Sequence, residues 1–88
     1  MEIMMEEKGW VVMFYIVEIE EHVDESSRKT IVDIFSDMKY AEDYVEENYL
    51  HMKEVKNTAT SRVYERWLEE DNLLILRQIY ITEWEVSY

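Results

Sequence analysis

The side chains capable of acid–base or metal chemistry are two histidines, His22 and His51, among 21 aspartates and glutamates. His51 follows Glu47 by one helical turn and precedes Glu54 closely, so the three could share one helix face. A catalytic metal usually takes three converging protein ligands. A calcium loop needs an Asp-x-Asp-x-Asp-Gly spacing, which the chain around His22 lacks. We therefore predict no bound metal and no other cofactor.

The groups required for other kinds of catalysis are also missing from the sequence. Cysteine is absent, and the serines stand in no nucleophile-elbow motif. General acid catalysis needs a carboxyl group whose pKa is raised by burial, whereas the acids here follow polar positions. With one glycine and no proline, the chain lacks the residues from which a phosphate-binding loop is built. We predict that the protein is not an enzyme.

The net charge of −12, with a sequence pI near 4.4, is the strongest compositional feature. It repels phosphate, so no direct binding of nucleic acid is expected. A predicted helix concentrates four acids within two turns, at a density comparable to that of duplex DNA. The predicted acidic face comprises Glu42, Asp43, Glu46 and Glu47, supported by Glu18, Glu20 and Glu21.

An acidic face of this kind favours association with a basic protein, above all a nucleic-acid-binding one. The leading interpretation is a binding module that mimics DNA and inhibits such a host protein. The alternative is a structural homodimer or assembly subunit with no inhibitory role, whose acids only keep a small, apolar-rich domain soluble.

The first half of the chain has two strand patterns and one helix pattern. Residues 10–17 are β-branched and aromatic on both faces, which predicts a central strand covered on both sides. Alternation continues this strand to residue 20, a polar loop covers 21–28, and a second strand covers 29–35. A helix is predicted over 37–54, with Ser36 as N-cap and a staple between Phe35 and Tyr40. Its apolar or uncharged stripe is Ala41, Val45, Asn48, Met52 and Val55.

The second half begins with a polar loop at 57–61. Residues 62–68 suit either a strand or a short helix, and the turn at 69–72 favours a strand hairpin. Alternation then predicts a long strand over 73–86. The result is an α+β domain over residues 10–88, in the order β-β-α-β-β, with one helix packed on an antiparallel sheet. Residues 1–9 are predicted to form a flexible segment.

Phe35-Ser36, followed by Ala41-Glu42 and Val45, resembles small uncharacterised bacterial and phage domains. In those domains a strand ends in Phe-Ser, a helix opens with Ala-Glu, and the last strand alternates acids with aromatics. Glu83-Trp84-Glu85-Val86 is similar to that last feature. The resemblance implies the α+β fold and an origin in a mobile element. The family has no assigned activity, so it implies no functional residue.

One helix covers only one face of a sheet, and this chain has more aromatic residues than that one face can bury. Trp67, Tyr80 and Trp84 are therefore predicted contact residues on an uncovered face, since exposed apolar patches usually mark binding surfaces. A homodimer packed sheet to sheet is the most economical way to cover this face, so a homodimer is predicted. The alternatives are a heterologous partner, the N-terminal segment or a short helix at 61–70. A third interpretation is a small-ligand sponge, with a pocket between protomers lined by tyrosines and by Arg62 or Arg66.

The N-terminus lacks the positive charge of a secretory signal, and the longest apolar run covers only residues 10–17. A membrane helix needs about 20 apolar residues, so no membrane association is expected. We predict a cytoplasmic protein, located in the host cytoplasm if the gene is carried by a phage.

Overall fold

The computed structural model describes residues 11–87 as a five-stranded antiparallel sheet with one helix across one face. The elements in chain order are β1 Val11–Val23, β2 Ser26–Phe35, α1 Met38–Asn48, β3 Lys53–Asn57, β4 Ser61–Glu70 and β5 Leu73–Ser87. In space the strands are ordered β2-β1-β5-β4-β3. The α+β class is confirmed. The predicted order β-β-α-β-β is short by one strand, because it does not include β3. The predicted segment 1–9 and residue 10 lie outside the described residues.

The first hairpin is longer than the sequence predicts. The predicted loop 21–28 is wrong, because β1 runs to Val23 and β2 starts at Ser26, with only Asp24 and Glu25 in the turn. β1 pairs with β5 along its whole length, from Val11 opposite Ser87 to Val23 opposite Ile75. These cross-strand partners outweigh the weak strand preference of the polar residues.

The helix starts one residue later than predicted. Asp37 is the N-cap, and its Oδ1 accepts a hydrogen bond from the Lys39 backbone N–H at 2.7 Å. The predicted cap Ser36 and the staple between Phe35 and Tyr40 are therefore wrong. The Phe35 ring packs instead against the Tyr44 ring, with centroids 5.3 Å apart, and Tyr40 is exposed.

The helix also ends six residues before its predicted end at 54. The Tyr49 N–H donates to the Val45 carbonyl at 2.8 Å, and His51 then adopts φ 63°. Tyr49 already leaves the helical region, with φ −132° and ψ 88°, and the left-handed His51 then redirects the chain toward β3. Of the predicted stripe, only Ala41 and Val45 are buried within α1, while Asn48 is exposed.

The second hairpin confirms the strand alternative for residues 62–68, which lie within β4. Asp71 and Asn72 both have positive φ, 51° and 68°, in a two-residue loop between β4 and β5. Such a loop matches the right-handed twist of its strands. The predicted alternation in β5 is confirmed, since Ile79 and Ile81 are fully buried beneath the helix.

The core lies between α1 and the sheet and is small. Its buried members come from the helix and from β1, β4 and β5, and they are Val17, Ala41, Val45, Tyr64, Ile79 and Ile81. Partly buried side chains, including Phe35, Tyr44 and Met52, surround them. The stability of this long sheet therefore depends on a few buried side chains on one of its faces.

The two outer edges of the sheet carry features that hinder further strand pairing. β2 contains a bulge, because Val17 pairs with Asp33 while the next residue, Glu18, pairs with Ile31. Beside it, the Ile34 N–H donates to the Asp33 carboxylate at 2.8 Å. The other edge, β3, is only five residues long. Bulges and short edge strands are common means of blocking edge-to-edge association.

Replacing Asn72 with glycine should stabilise the protein by up to about 1 kcal/mol, because glycine adopts positive φ at no steric cost. Thermal unfolding would measure this as a rise in Tm. Glu25→Gly is the matched control, since Glu25 also lies in a two-residue hairpin loop but is not among the positive-φ residues. A lower Tm for Asn72→Gly would contradict the turn geometry.

Candidate functional site

The face of the sheet opposite α1 is apolar at both ends. Within residues 11–87 no helix or strand packs on it. At one end Phe14 pairs with Trp84, and at the other Trp67 pairs with Leu76. Its large side chains that are at least 36% exposed are Ile31 (55%), Ile34 (53%), Trp67 (63%), Leu74 (62%), Trp84 (54%) and Val86 (36%). We call this surface the helix-free face.

The centre of the helix-free face is polar and internally paired. One cross-strand row runs over all five strands and consists of Lys29, Glu20, Gln78, Glu65 and Lys53. Two carboxylates and two ammonium groups make this row formally neutral. The Gln78 side-chain amide donates to Glu65 at 3.0 Å, and its carbonyl oxygen lies 3.0 Å from His22 Nε2.

Tyr80, at the middle of β5, contacts several members of this polar centre. Its hydroxyl lies within donating distance of Glu20 Oε1 (3.1 Å) and of the Gln78 side-chain carbonyl (2.9 Å). The Lys29 ammonium group lies 4.6 Å from the centre of its ring. Burial, followed by the hydrogen bond to Glu20, raises the pKa of Tyr80. The phenol therefore stays protonated at neutral pH and serves as a hydrogen-bond donor rather than as a nucleophile.

The seven acids predicted to form one face are divided between the two sides of the sheet. Glu18 and Glu20 lie on the helix-free face, as the pairing of Glu18 with Tyr80 shows. Glu21 has the opposite parity and forms an ion pair with Arg77 at 2.7 Å on the helix side. The prediction of a single acidic face is therefore wrong, because adjacent residues of a strand point to opposite faces.

The four helix acids lie on α1 as predicted, and two of them are paired. Glu42 binds Arg62 at 2.6 Å, and Asp43 binds Lys39 one helical turn away at 2.9 Å. Glu46 and Glu47 are exposed. The predicted quartet thus offers two carboxylates without a cationic partner among the described residues.

Little of the protein's negative charge lies on the helix-free face. By strand register, it carries four of the 21 acids and three of the nine bases, namely Glu18, Glu20, Glu65 and Glu69 with Lys29, Lys53 and Lys56. This surface contributes −1 to a total of −12. The acidic character belongs to the helix side, the turns and the chain beyond the described residues.

Trp67, Tyr80 and Trp84, the predicted contact residues, all lie on the helix-free face. Trp67 and Trp84 are exposed near its two ends, whereas Tyr80 belongs to the polar centre. A helix at 61–70 does not cover the face, because those residues form β4. Val11 and Met13, in the strand predicted to be covered on both sides, are exposed.

A groove of about 280 Å³ beside the end of α1 is lined by two further candidate residues. His51 and Glu54 line it together with Glu46 and Tyr64, whereas the predicted neighbour Glu47 does not. Within residues 11–87 no three His, Asp or Glu side chains converge as metal ligands. Beside the groove, Arg66 donates to the Leu50 carbonyl at 2.9 Å, and Arg62 is held by Glu42.

Comparisons with protein-family models, curated proteins and solved structures gave no match to this chain. The one helix of residues 11–87, α1, lacks the length and apolar character needed to cross a bilayer. Any assignment of function therefore depends on the geometry of the two faces.

Sequence reasoning missed most of the polar centre. Lys29, Glu65 and Gln78 were not singled out, because their proximity depends on the register between strands far apart in the chain. The available signal was Glu65, which stands between Val63 and Trp67 at the same strand parity. A charged residue at that position indicates a polar interruption in an otherwise apolar row.

Proposed function

We propose that the protein is a non-enzymatic protein-binding module whose binding surface is the helix-free face. The observation that supports this most is the group of six exposed apolar side chains on one side of a sheet whose other side is packed against α1 around Val17, Ile79 and Ile81. Exposed apolar side chains grouped on one surface and bordered by polar residues are typical of interaction sites. Tryptophan, enriched where binding energy concentrates, stands near both ends.

The polar centre supports a binding role over a catalytic one. Its carboxylates, amide and phenol already satisfy one another across β1, β4 and β5, at 2.9–3.1 Å. Groups paired in this way can be covered by a partner without leaving buried polar atoms unsatisfied. The same pairing leaves no group poised to transfer a proton to a substrate.

The test is affinity purification of the tagged protein with quantitative mass spectrometry. The variant Trp67→Glu/Trp84→Glu places two charges on the helix-free face and should lose the specifically retained proteins, including untagged copies of the chain. Tyr40→Glu/Leu50→Glu is the matched control, because Tyr40 (62% exposed) and Leu50 (61%) are similarly exposed apolar residues outside this face. Identical sets of retained proteins for all three forms would refute the proposal.

A second candidate function is inhibition of a basic, nucleic-acid-binding protein, in a phage-encoded setting, by the acidic helix side. The distribution of the charge supports it, since residues 11–87 carry −10 and all but −1 of that lies off the helix-free face. Glu46 and Glu47 are the exposed acids of the predicted quartet. Such a surface accelerates association with a basic cleft and loses that advantage in salt.

Under this second function, Glu46→Lys/Glu47→Lys should reduce capture of the basic partner at least tenfold and weaken the salt dependence of capture. Pull-downs at low and high salt, with duplex DNA as competitor, measure both effects. Glu69→Lys/Glu70→Lys makes the same change in net charge at the far end of β4 and should have a smaller effect. Equal effects of the two variants would show that net charge matters and the acidic surface of α1 does not.

A further inference from the structure

We infer that the occupant of the helix-free face is a second copy of this chain, packed sheet to sheet with both helices outward. This inference rests on the proposed function, since it names the partner of the same surface. Three properties of the face support it: its area, its charge and the distribution of its polar groups.

The area of the helix-free face matches what a stable dimer needs. Each strand residue presents roughly 16 Å² of face, from a rise of about 3.3 Å and a strand spacing of about 4.8 Å. Strands of 13, 10, 5, 10 and 15 residues therefore present roughly 850 Å². Stable interfaces bury about 800 Å² on each partner, and packed sheets meet at about 10 Å.

The charge distribution favours a second copy over a basic partner at this face. Two copies that approach by their helix-free faces bring together surfaces of −1 each, although each chain carries −12. Any approach by the helix sides brings together strongly acidic surfaces, which repel. A basic partner is attracted to those acidic surfaces instead of to the nearly neutral face.

The pattern along the strands is self-complementary. Tyr80 is the middle residue of β5, the central strand, with apolar pairs such as Phe14–Trp84 and Trp67–Leu76 toward either end. A twofold axis in the plane of contact, through the centre of the face, places polar centre on polar centre. It likewise places apolar ends on apolar ends, which is the requirement of an isologous interface.

Sedimentation equilibrium of the purified full chain, over a hundredfold range of concentration, tests this inference. We expect the wild type at twice 10.9 kDa, Trp67→Glu/Trp84→Glu at the monomer mass, and Tyr40→Glu/Leu50→Glu at the dimer mass. Circular dichroism reports whether each variant is folded. A wild type that stays monomeric throughout overturns the inference.

A crosslinking experiment keeps the inference falsifiable if the charged variants do not fold. The chain has no cysteine, so Thr82→Cys adds a single thiol on β5 at the parity of Tyr80. A short bismaleimide should join two Thr82→Cys chains and leave Glu47→Cys on α1 unjoined. Equal crosslinking of both variants overturns the inference.

The two proposals fail separately. A monomeric wild type whose specifically retained heterologous proteins are lost in Trp67→Glu/Trp84→Glu overturns the second copy and leaves the binding function of the face intact. A monomeric wild type whose retained proteins do not change in that variant overturns both.

Discussion

Replacing Ile79 with alanine is expected to destabilise the protein by about 3 kcal/mol, within the 2–5 kcal/mol typical of such core truncations. Ile79 is fully buried, and it pairs with Ile19 on one side and with the buried Tyr64 on the other. Since the core has few buried members, neighbouring side chains can refill little of the cavity. Thermal unfolding should show a fall in Tm of roughly 12–24 °C.

Leu50→Ala is the control for this loss, because it removes the same three carbon atoms from a side chain that is 61% exposed. We expect it to change the free energy of unfolding by no more than about 0.5 kcal/mol. Comparable losses in the two variants would mean that the helix side of the sheet is not the core.

Tyr64 is expected to make stability fall between about pH 10 and pH 12. Burial, with the charges of Glu42 and Glu54, raises its pKa from 10.0 to about 12, against a smaller opposing effect of Arg62. Below pH 10 the phenol is protonated in both states, so its contribution is fully present. Above pH 10 the unfolded chain loses the proton first, so unfolding becomes easier, by roughly 2–3 kcal/mol at pH 12.

Ultraviolet absorbance of tyrosinate, followed together with circular dichroism, measures this effect. Tyr64→Phe should remove one late-ionising tyrosine and reduce the loss of stability across that pH interval. Burial raises the pKa of Tyr49 and of Tyr80, so other late steps persist in the variant. A variant whose titration superimposes on that of the wild type would contradict the assignment.

The faces of the strands were predictable from the sequence, because side chains alternate strictly along a strand. The alternation in β5 separated Ile79 and Ile81, which face the helix, from Tyr80 and Trp84, which do not. The end of α1 was not predictable in this way, since Met52 and Val55 continue the helical period by coincidence. The residue that turns the chain is His51, and no glycine or proline marks the position.

The polar centre of the candidate site could not be predicted from the chain alone. His22 and Gln78 are 56 residues apart in sequence and meet only because β1 and β5 pair in one particular register. A slip of one residue would carry Gln78 to the helix side. The number of acidic residues is read directly from the sequence. Their division between the helix side and the helix-free face depends on the register between the strands.

The features that block the sheet edges determine what kind of assembly this domain can form. Asp33 occupies the Ile34 N–H on the β2 edge, and β3 offers only five residues on the other edge. Growth strand by strand, which leads to fibres, is therefore hindered at both sides of the sheet. Association of two chains through the helix-free face buries that face on both of them. Under twofold symmetry no further copy of the face is left exposed. The geometry thus favours a finite particle of defined size over an open-ended polymer, even for a chain rich in exposed β-sheet.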